Sequence, residues 1–362
     1  MKIKAAVARA ANKSFSLESV NLDAPREDEI LVRLVATGVC HTDISVVEQL
    51  LPIALPVVLG HEGSGTVEQI GAKVKHLKVG DSVVLTYAHC GHCKNCSSGH
   101  SAYCDHYGAM NFSGMRGDGS RTLHDAAGAA LGGSFLGQSS FATYALSPAV
   151  NAVKVRSDAP LEQLGPLACG FSTGAGAVLN VLKPSSEASL AVLGAGAVGL
   201  AAIMAAKTIG CHRILAVDRY PTRLELALSL GATDVLDTSG ASWADELAAS
   251  GPVDYVIDTT GVPKLVEAAI GALRLRGTCI LLGASRDSDL HVNIMHMIGG
   301  RTVTGVIHGD PDQQTFIPQL IDLFMEGKFP IDRLSQFYSL EQINEAVADS
   351  KCGKTIKPIL RL

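Results

Sequence analysis

One short stretch limits this fold more than any other, Gly194-Ala195-Gly196-Ala197-Val198-Gly199. It follows an apolar run at residues 190–193 and opens a small-residue segment reaching about Ile209. In a strand-to-helix turn, the first glycine makes the tight bend. The second lets a pyrophosphate approach the backbone, and the third lets helix and strand pack closely. The pyrophosphate then rests on the unpaired N–H groups of the helix start. A second apolar run, residues 214–217, ends at Asp218, nineteen residues after Gly199. A carboxylate there accepts hydrogen bonds from an adenosine ribose and repels a 2′-phosphate, which predicts NAD over NADP. A tight turn without a ligand is the alternative. The strand before, the helix after and the acid beyond weigh against it.

The alternation continues downstream. Helical patterns lie near residues 222–230, 243–248 and 263–273, and strands near 235–236, 255–257, 279–282 and 302–307. This predicts an α/β domain over residues 171–307, a doubly wound parallel sheet of about six strands. Residues 1–170 read differently. Short β-rich runs at 28–36, 57–59, 65–70 and 83–86 are separated by turn signals, as in an antiparallel domain. Residues 105–139, rich in Gly, Ser and Ala, read as a long loop. The tail, 308–362, reads as two helices and a last strand that returns to the first domain. The apolar run at 190–206 has the minimum length of a membrane span, but Gly194, Gly196 and Gly199 break it. Lys2, Lys4 and Arg9 open the chain without an apolar core behind them, so no secretory signal is expected. A net charge of −5 gives no basic surface for nucleic acid. The expectation is a soluble, cytoplasmic protein.

The first domain carries the candidate metal ligands. Nine cysteines, an odd number without a secretory signal, predict reduced thiols. Cys90, Cys93, Cys96 and Cys104 fall within fifteen residues. Their spacing can wrap one tetrahedral zinc with no open position, a structural site. An iron–sulfur cluster is the rival, and a disulfide framework fits a reducing compartment poorly. His89, His92, His100 and His106 read as exposed spectators, and Cys211, Cys279 and Cys352 as ordinary thiols. A second set is dispersed. Cys40 and His61 stand beside carboxylates, in Gly38-Val-Cys-His-Thr-Asp43 and Gly60-His-Glu62. A metal-bound imidazole usually needs such a partner. A catalytic zinc takes three protein ligands and keeps one position open, and Cys169 is the third candidate. Taken singly, each residue is more often part of a core; together with the glycine fingerprint they point to a metal.

The motifs together resemble the medium-chain zinc-dependent alcohol dehydrogenases along essentially the whole chain. Residues 137–145, 164–169, 173–177 and 316–318 further resemble the bacterial aryl- or benzyl-alcohol branch, which includes geraniol dehydrogenases. The resemblance implies a Rossmann NAD-binding domain, a GroES-like catalytic domain and two zinc ions per chain. It implies catalytic zinc on Cys40, His61 and Cys169, with Glu62 close by, and structural zinc on the lobe at 90–104. Thr42 would stand between the substrate hydroxyl and the nicotinamide ribose, and Thr173 beside the nicotinamide. Arg223 would join Asp218 at the adenosine ribose, and His41 and Lys357 would lie near the pyrophosphate. The implied reaction is reversible oxidation of a primary alcohol, aromatic or allylic, to the aldehyde by hydride transfer to NAD. A homodimer or homotetramer is implied as well. A glutathione-dependent formaldehyde dehydrogenase of the same superfamily is one rival, and a non-catalytic NAD-binding redox sensor is another. One position departs from the family pattern. Many relatives end a proton relay on a histidine five residues after the first zinc cysteine, where this chain has Ser45.

Overall fold

Apolar, β-branched stretches become strands where they have a face to bury. A computed structural model describes residues 1–285 and 289–362. They divide into two units. The first comprises Met1–Cys169, Asp312–Met325 and Ile331–Leu362, and the second Gly170–Pro311 and Glu326–Pro330. The second unit therefore runs on to residue 311 and takes back residues 326–330.

The first unit is built on the strand Glu29–Gly38, buried almost throughout. It pairs antiparallel with Gly63–Ile70, with Tyr144–Pro148 and with Lys357–Arg361. Ser82–Leu85, Ala152–Lys154 and Ser335–Ser339 extend this sheet. A five-stranded sheet centred on Lys2–Ala8 and Ser16–Leu22 contributes a buried cluster that includes Val7, Phe15, Leu59, Phe135 and Phe141. The last strand returns to the centre of the first sheet. Ile359 lies opposite Gly38, and the Val39 N–H donates to the Pro358 carbonyl at 2.9 Å. That register sets Lys357 beside the segment that carries Cys40.

The loop expected at residues 105–139 is partly regular. It holds the helix Tyr107–Phe112, the paired strands Leu123–His124 and Ala130–Leu131, and the 3-10 turn Phe135–Gly137. Strands of two residues show no readable periodicity, so a pattern search passes over them. Asn111, fully buried, ties the helix down. Its side chain accepts from the Ala88 N–H at 2.8 Å and donates to the Ala88 carbonyl at 2.9 Å.

The second unit holds one six-stranded parallel sheet, in the order Asp234–Asp237, Arg213–Asp218, Ser189–Leu193, Val253–Asp258, Leu273–Leu281 and Thr302–Gly305. This is the doubly wound order, with the strand sequence reversing beside Ser189–Leu193. Gly194 turns the chain out of that strand at φ +91°. Ala201, Ala202, Ala205 and Ala206 are buried on the helix Ala197–Ile209, so short side chains keep the helix close to its neighbours. A Cβ on Gly199 would stand 1.8 Å from the Gly194 carbonyl oxygen. Among the described residues no helix is long and apolar enough to cross a membrane.

The Gly199 contact is with backbone and cannot relax by a rotamer change. Gly199→Ala should therefore destabilise the protein by about 1–3 kcal/mol or more, read as a lower urea midpoint with an unchanged slope.

Candidate active site

Cys40 leaves the central strand in an extended conformation and precedes the helix His41–Val47. Asp43 lies in the first turn, where a negative charge complements the helix dipole. Its carboxylate is 1% exposed. Oδ2 accepts the Cys40 N–H at 3.0 Å, and Oδ1 accepts the Gly60 N–H at 3.0 Å and faces His61 Nδ1 at 3.1 Å. Nδ1 of His61 is thus committed to Asp43, and Nε2 is the nitrogen that faces the sulfurs. That Nε2 lies 3.3 Å from Cys169 Sγ, and Cys169 Sγ lies 3.9 Å from Cys40 Sγ. Ligand atoms at zinc bond lengths of about 2.0–2.3 Å in a tetrahedron stand roughly 3.5–3.8 Å apart. The two sulfurs and the nitrogen therefore fit a single zinc ion, with Glu62 completing the group within 4.8 Å.

The electrostatics fit as well. Hydrogen bonding from the Cys169 thiol draws Cys40 well below the usual thiol range, and the same bond together with burial pushes Cys169 up. A cation at this point would favour the thiolate form of both sulfurs. Burial opposes a charge on His61, but Asp43 and Cys40 outweigh it and raise its pKa well above the ordinary value.

Glu62 is fully buried, and both its oxygens lie 2.9 Å from Lys357 Nζ, itself 3% exposed. Nζ also donates to the Val39 carbonyl at 3.4 Å. Lys357, expected at a pyrophosphate, is here the counter-ion of Glu62. Burial alone would lower its pKa; Glu62 and the thiols raise it overall. Two glycines make room for the acid. A Cβ on Gly38 would come 2.0 Å from Glu62 Oε2, and one on Gly165 2.0 Å from the Glu62 carbonyl oxygen. Gln138, whose role the sequence does not reveal, clamps the neighbouring backbone. It accepts the Gly63 N–H at 3.0 Å and donates to the His61 carbonyl at 3.0 Å. Rings adjoin the cluster: Phe135 meets His61 edge-on at 5.5 Å, and Phe112 and Tyr107 follow at 6.2 and 5.9 Å. Thr42 is partly buried with Oγ1 3.7 Å from Cys40 Sγ, Ser45 lies one turn on, and His41 is exposed.

The lobe gathers Cys90, Cys93, Cys96 and Cys104, with ligand atoms within 4.8 Å of one another. Backbone amides point at the sulfurs, as thiolates require. Cys90 N–H donates to Cys104 at 3.4 Å, Cys93 N–H to Cys90 at 3.3 Å, and Cys96 and Asp105 N–H to Cys93 at 3.5 Å. The amides of Cys96 and Asp105 bring the Cys93 thiol down to about 6. Among the described residues no cysteine is in a disulfide. Four sulfurs with no open position suit a structural zinc.

In the second unit, a Cβ on Gly196 would meet nothing within 4 Å, while Gly194 and Gly199 would both clash. The open glycine stands at the start of the thirteen-residue helix whose first residues are Ala197 and Val198, where a phosphate fits. Asp218 Oδ2 accepts the Ala195 N–H at 2.7 Å, and Oδ1 accepts the amides of Arg219 and Tyr220 at 2.7 and 3.0 Å. Arg223 Nη1 lies 3.9 Å from Asp218, and its buried Nε has no protein partner. A donor left open beside an acid at this strand end suits a ribose. Thr173 lies in the helix Gly170–Gly176.

Comparison with known proteins agrees with this geometry. Residues 26–157 match the alcohol dehydrogenase GroES-like domain, and residues 197–326 match the zinc-binding dehydrogenase family. The geraniol dehydrogenase of Castellaniella defragrans is 42% identical over 99% of this chain and 97% of its own. Among solved structures, benzyl alcohol dehydrogenase from Acinetobacter calcoaceticus superposes with a TM-score of 0.96 at 43% identity, covering 100% of this chain and 99% of that one. An alcohol dehydrogenase zinc-binding domain protein from Burkholderia ambifaria does so at 0.97 and 51%, with the same coverage.

Asp43→Asn keeps the shape but removes the charge that orients His61. It should weaken zinc at Cys40, His61 and Cys169 by about 10–100-fold, measured by metal analysis after graded chelation, with the lobe zinc retained. Cys96→Ala should do the reverse, losing the lobe zinc and stability while the other ion stays. Lys357→Met leaves Glu62 buried without a partner and should cost about 3–5 kcal/mol, read by denaturant unfolding.

Proposed function

This chain belongs to the zinc-dependent alcohol dehydrogenases of the medium-chain type, and on that premise we propose that it oxidises aromatic or allylic primary alcohols to aldehydes with NAD. The convergence of Cys40, His61 and Cys169 on one point carries the activity. The similarity to geraniol and benzyl alcohol dehydrogenases supports the substrate class. So does the row of rings that starts with Phe135 beside His61 and runs on through Phe112 to Tyr107, in a chain with only 5% aromatic residues. Asp218 at the second strand end supports NAD over NADP, since a 2′-phosphate would meet its carboxylate.

Zinc held there supplies a Lewis acid that makes an alcohol hydroxyl acidic at neutral pH, and NAD supplies the hydride acceptor. The protein does the rest. Asp43 holds the His61 ring and its tautomer. Two thiolates match a divalent cation, and the Glu62–Lys357 pair adds no net charge. Thr42 Oγ1, the hydroxyl next to Cys40, accepts the alcohol proton as it passes its own on. Ser45, three residues on and so on the same helix face, takes it towards solvent through water. Serine does not titrate near neutral pH as histidine does, so this last step carries no pKa of its own. His41, at the helix start, Thr173, the glycine fingerprint, Asp218 and Arg223 hold the cofactor.

Leu275, on the strand that pairs with the edge strand Thr302–Gly305, and Ile294, Met295 and Ile298, on the short helix that precedes it, are 66–73% exposed. An apolar face against an unpaired edge fits a second copy of the chain, and we assign it to a homodimer. Nine cysteines outside any disulfide fit a reducing cytoplasm.

Three measurements test this reading. A screen by NADH absorbance should give a higher kcat/KM for benzyl, cinnamyl and terpenoid alcohols than for ethanol; the reverse order refutes the substrate class. Asp218→Ala should weaken NAD and narrow the NAD/NADP ratio of kcat/KM, and an unchanged ratio removes Asp218 from the ribose. Thr42→Val should cut kcat by about 10²-fold or more. Near-normal turnover, with a deuterium isotope effect showing chemistry to be rate-limiting, rules out the Thr42 route.

A further inference from the structure

The lobe carries a second grouping of metal-binding side chains on its outside. One ligand atom each of Cys90, His92 and His106 lies within 4.8 Å of the others. Both imidazoles are exposed, and their ring centroids are 6.2 Å apart. His92 also makes a contact that a spectator does not need. Its Nδ1 donates to the Cys90 carbonyl at 2.8 Å, which fixes the tautomer and leaves the lone pair on Nε2. A histidine tied by one nitrogen to a backbone carbonyl, with the other nitrogen basic, is the arrangement in which proteins hold a metal ligand.

We propose that Cys90, His92 and His106 form a third zinc site on the solvent face of the lobe, sharing the Cys90 thiolate with the closed four-cysteine set. A thiolate keeps lone pairs after binding one cation and can bridge two. One sulfur and two imidazole nitrogens are the donors that zinc takes, whereas calcium and magnesium take oxygen. Three donors leave a position for water, and two of the three are exposed. The site is therefore weaker than the closed set and exchanges with solution. It gives an incoming ion a place one ligand away from the structural site.

The test uses the holoenzyme with its two resident zinc ions, titrated with Zn²⁺ against a chromophoric chelator. One further equivalent is expected. His92→Gln/His106→Gln should keep two zincs, fold and turnover, and lose that equivalent. Co²⁺ added to the zinc-loaded enzyme, with metal analysis showing no resident zinc released, should give thiolate-to-cobalt charge-transfer absorption that the double variant lacks. Absence of a third equivalent in the unmodified enzyme, or an undiminished one in the double variant, overturns the proposal. A third equivalent lost in the double variant but without the charge-transfer band overturns the sharing of Cys90.

Discussion

The site depends first on the Asp43 carboxylate. It is buried and meets three separate donors: the amide of Cys40, the amide of Gly60 and the ring of His61. Two stretches of chain seventeen residues apart are thereby locked in register. Burying such a charge is costly unless every lone pair is used. Here the use and the function coincide, because the bonds that satisfy Asp43 also aim the imidazole. An acid in the first turn of a helix serves the helix as well, so one residue stabilises local structure and orients a ligand.

Glu62 and Lys357 form a second layer under the same point. Neither reaches solvent, and each is tolerable only because of the other. Gly38 and Gly165 supply the space, and Gln138 holds the backbone on either side of Glu62. The layer is neutral overall, so the charge at the metal position is set by the two thiolates. That is a reason for an ion pair in place of two apolar residues, which would be easier to bury but could not face a cation.

The fingerprint around Gly194 and the alternation after it are legible in the sequence because each glycine has a local steric reason and the central strands Ser189–Leu193 and Arg213–Asp218 are apolar for most of their length. The six-stranded order follows from them. The candidate metal ligands are legible by residue type and spacing only as a set, since each alone more often belongs to a core. What stays hidden depends on contacts between distant segments. Nothing local in the last strand marks Lys357 as the partner of Glu62, because the strand register that joins them involves residues about three hundred positions apart. Gln138 lies in a stretch without periodicity, and its role exists only once Gly63 and Leu85 are beside it. The helix Tyr107–Phe112 reads as loop because it contains Gly108 and runs into Ser113 and Gly114, and the Ala88 N–H that secures it donates to Asn111 from a distant segment.

The place of Lys357 in the chain, far downstream of every metal ligand, has a consequence for synthesis. A ribosome makes Cys40, His61, Glu62 and Cys169 long before it makes the residue that neutralises Glu62. Until the strand Lys357–Arg361 emerges and inserts beside Glu29–Gly38, the nascent first unit has an acid that it cannot bury. The Glu62–Lys357 pair therefore forms only after the whole second unit has been translated. A chain cut short before Lys357 keeps every candidate metal ligand but leaves Glu62 without this counter-ion.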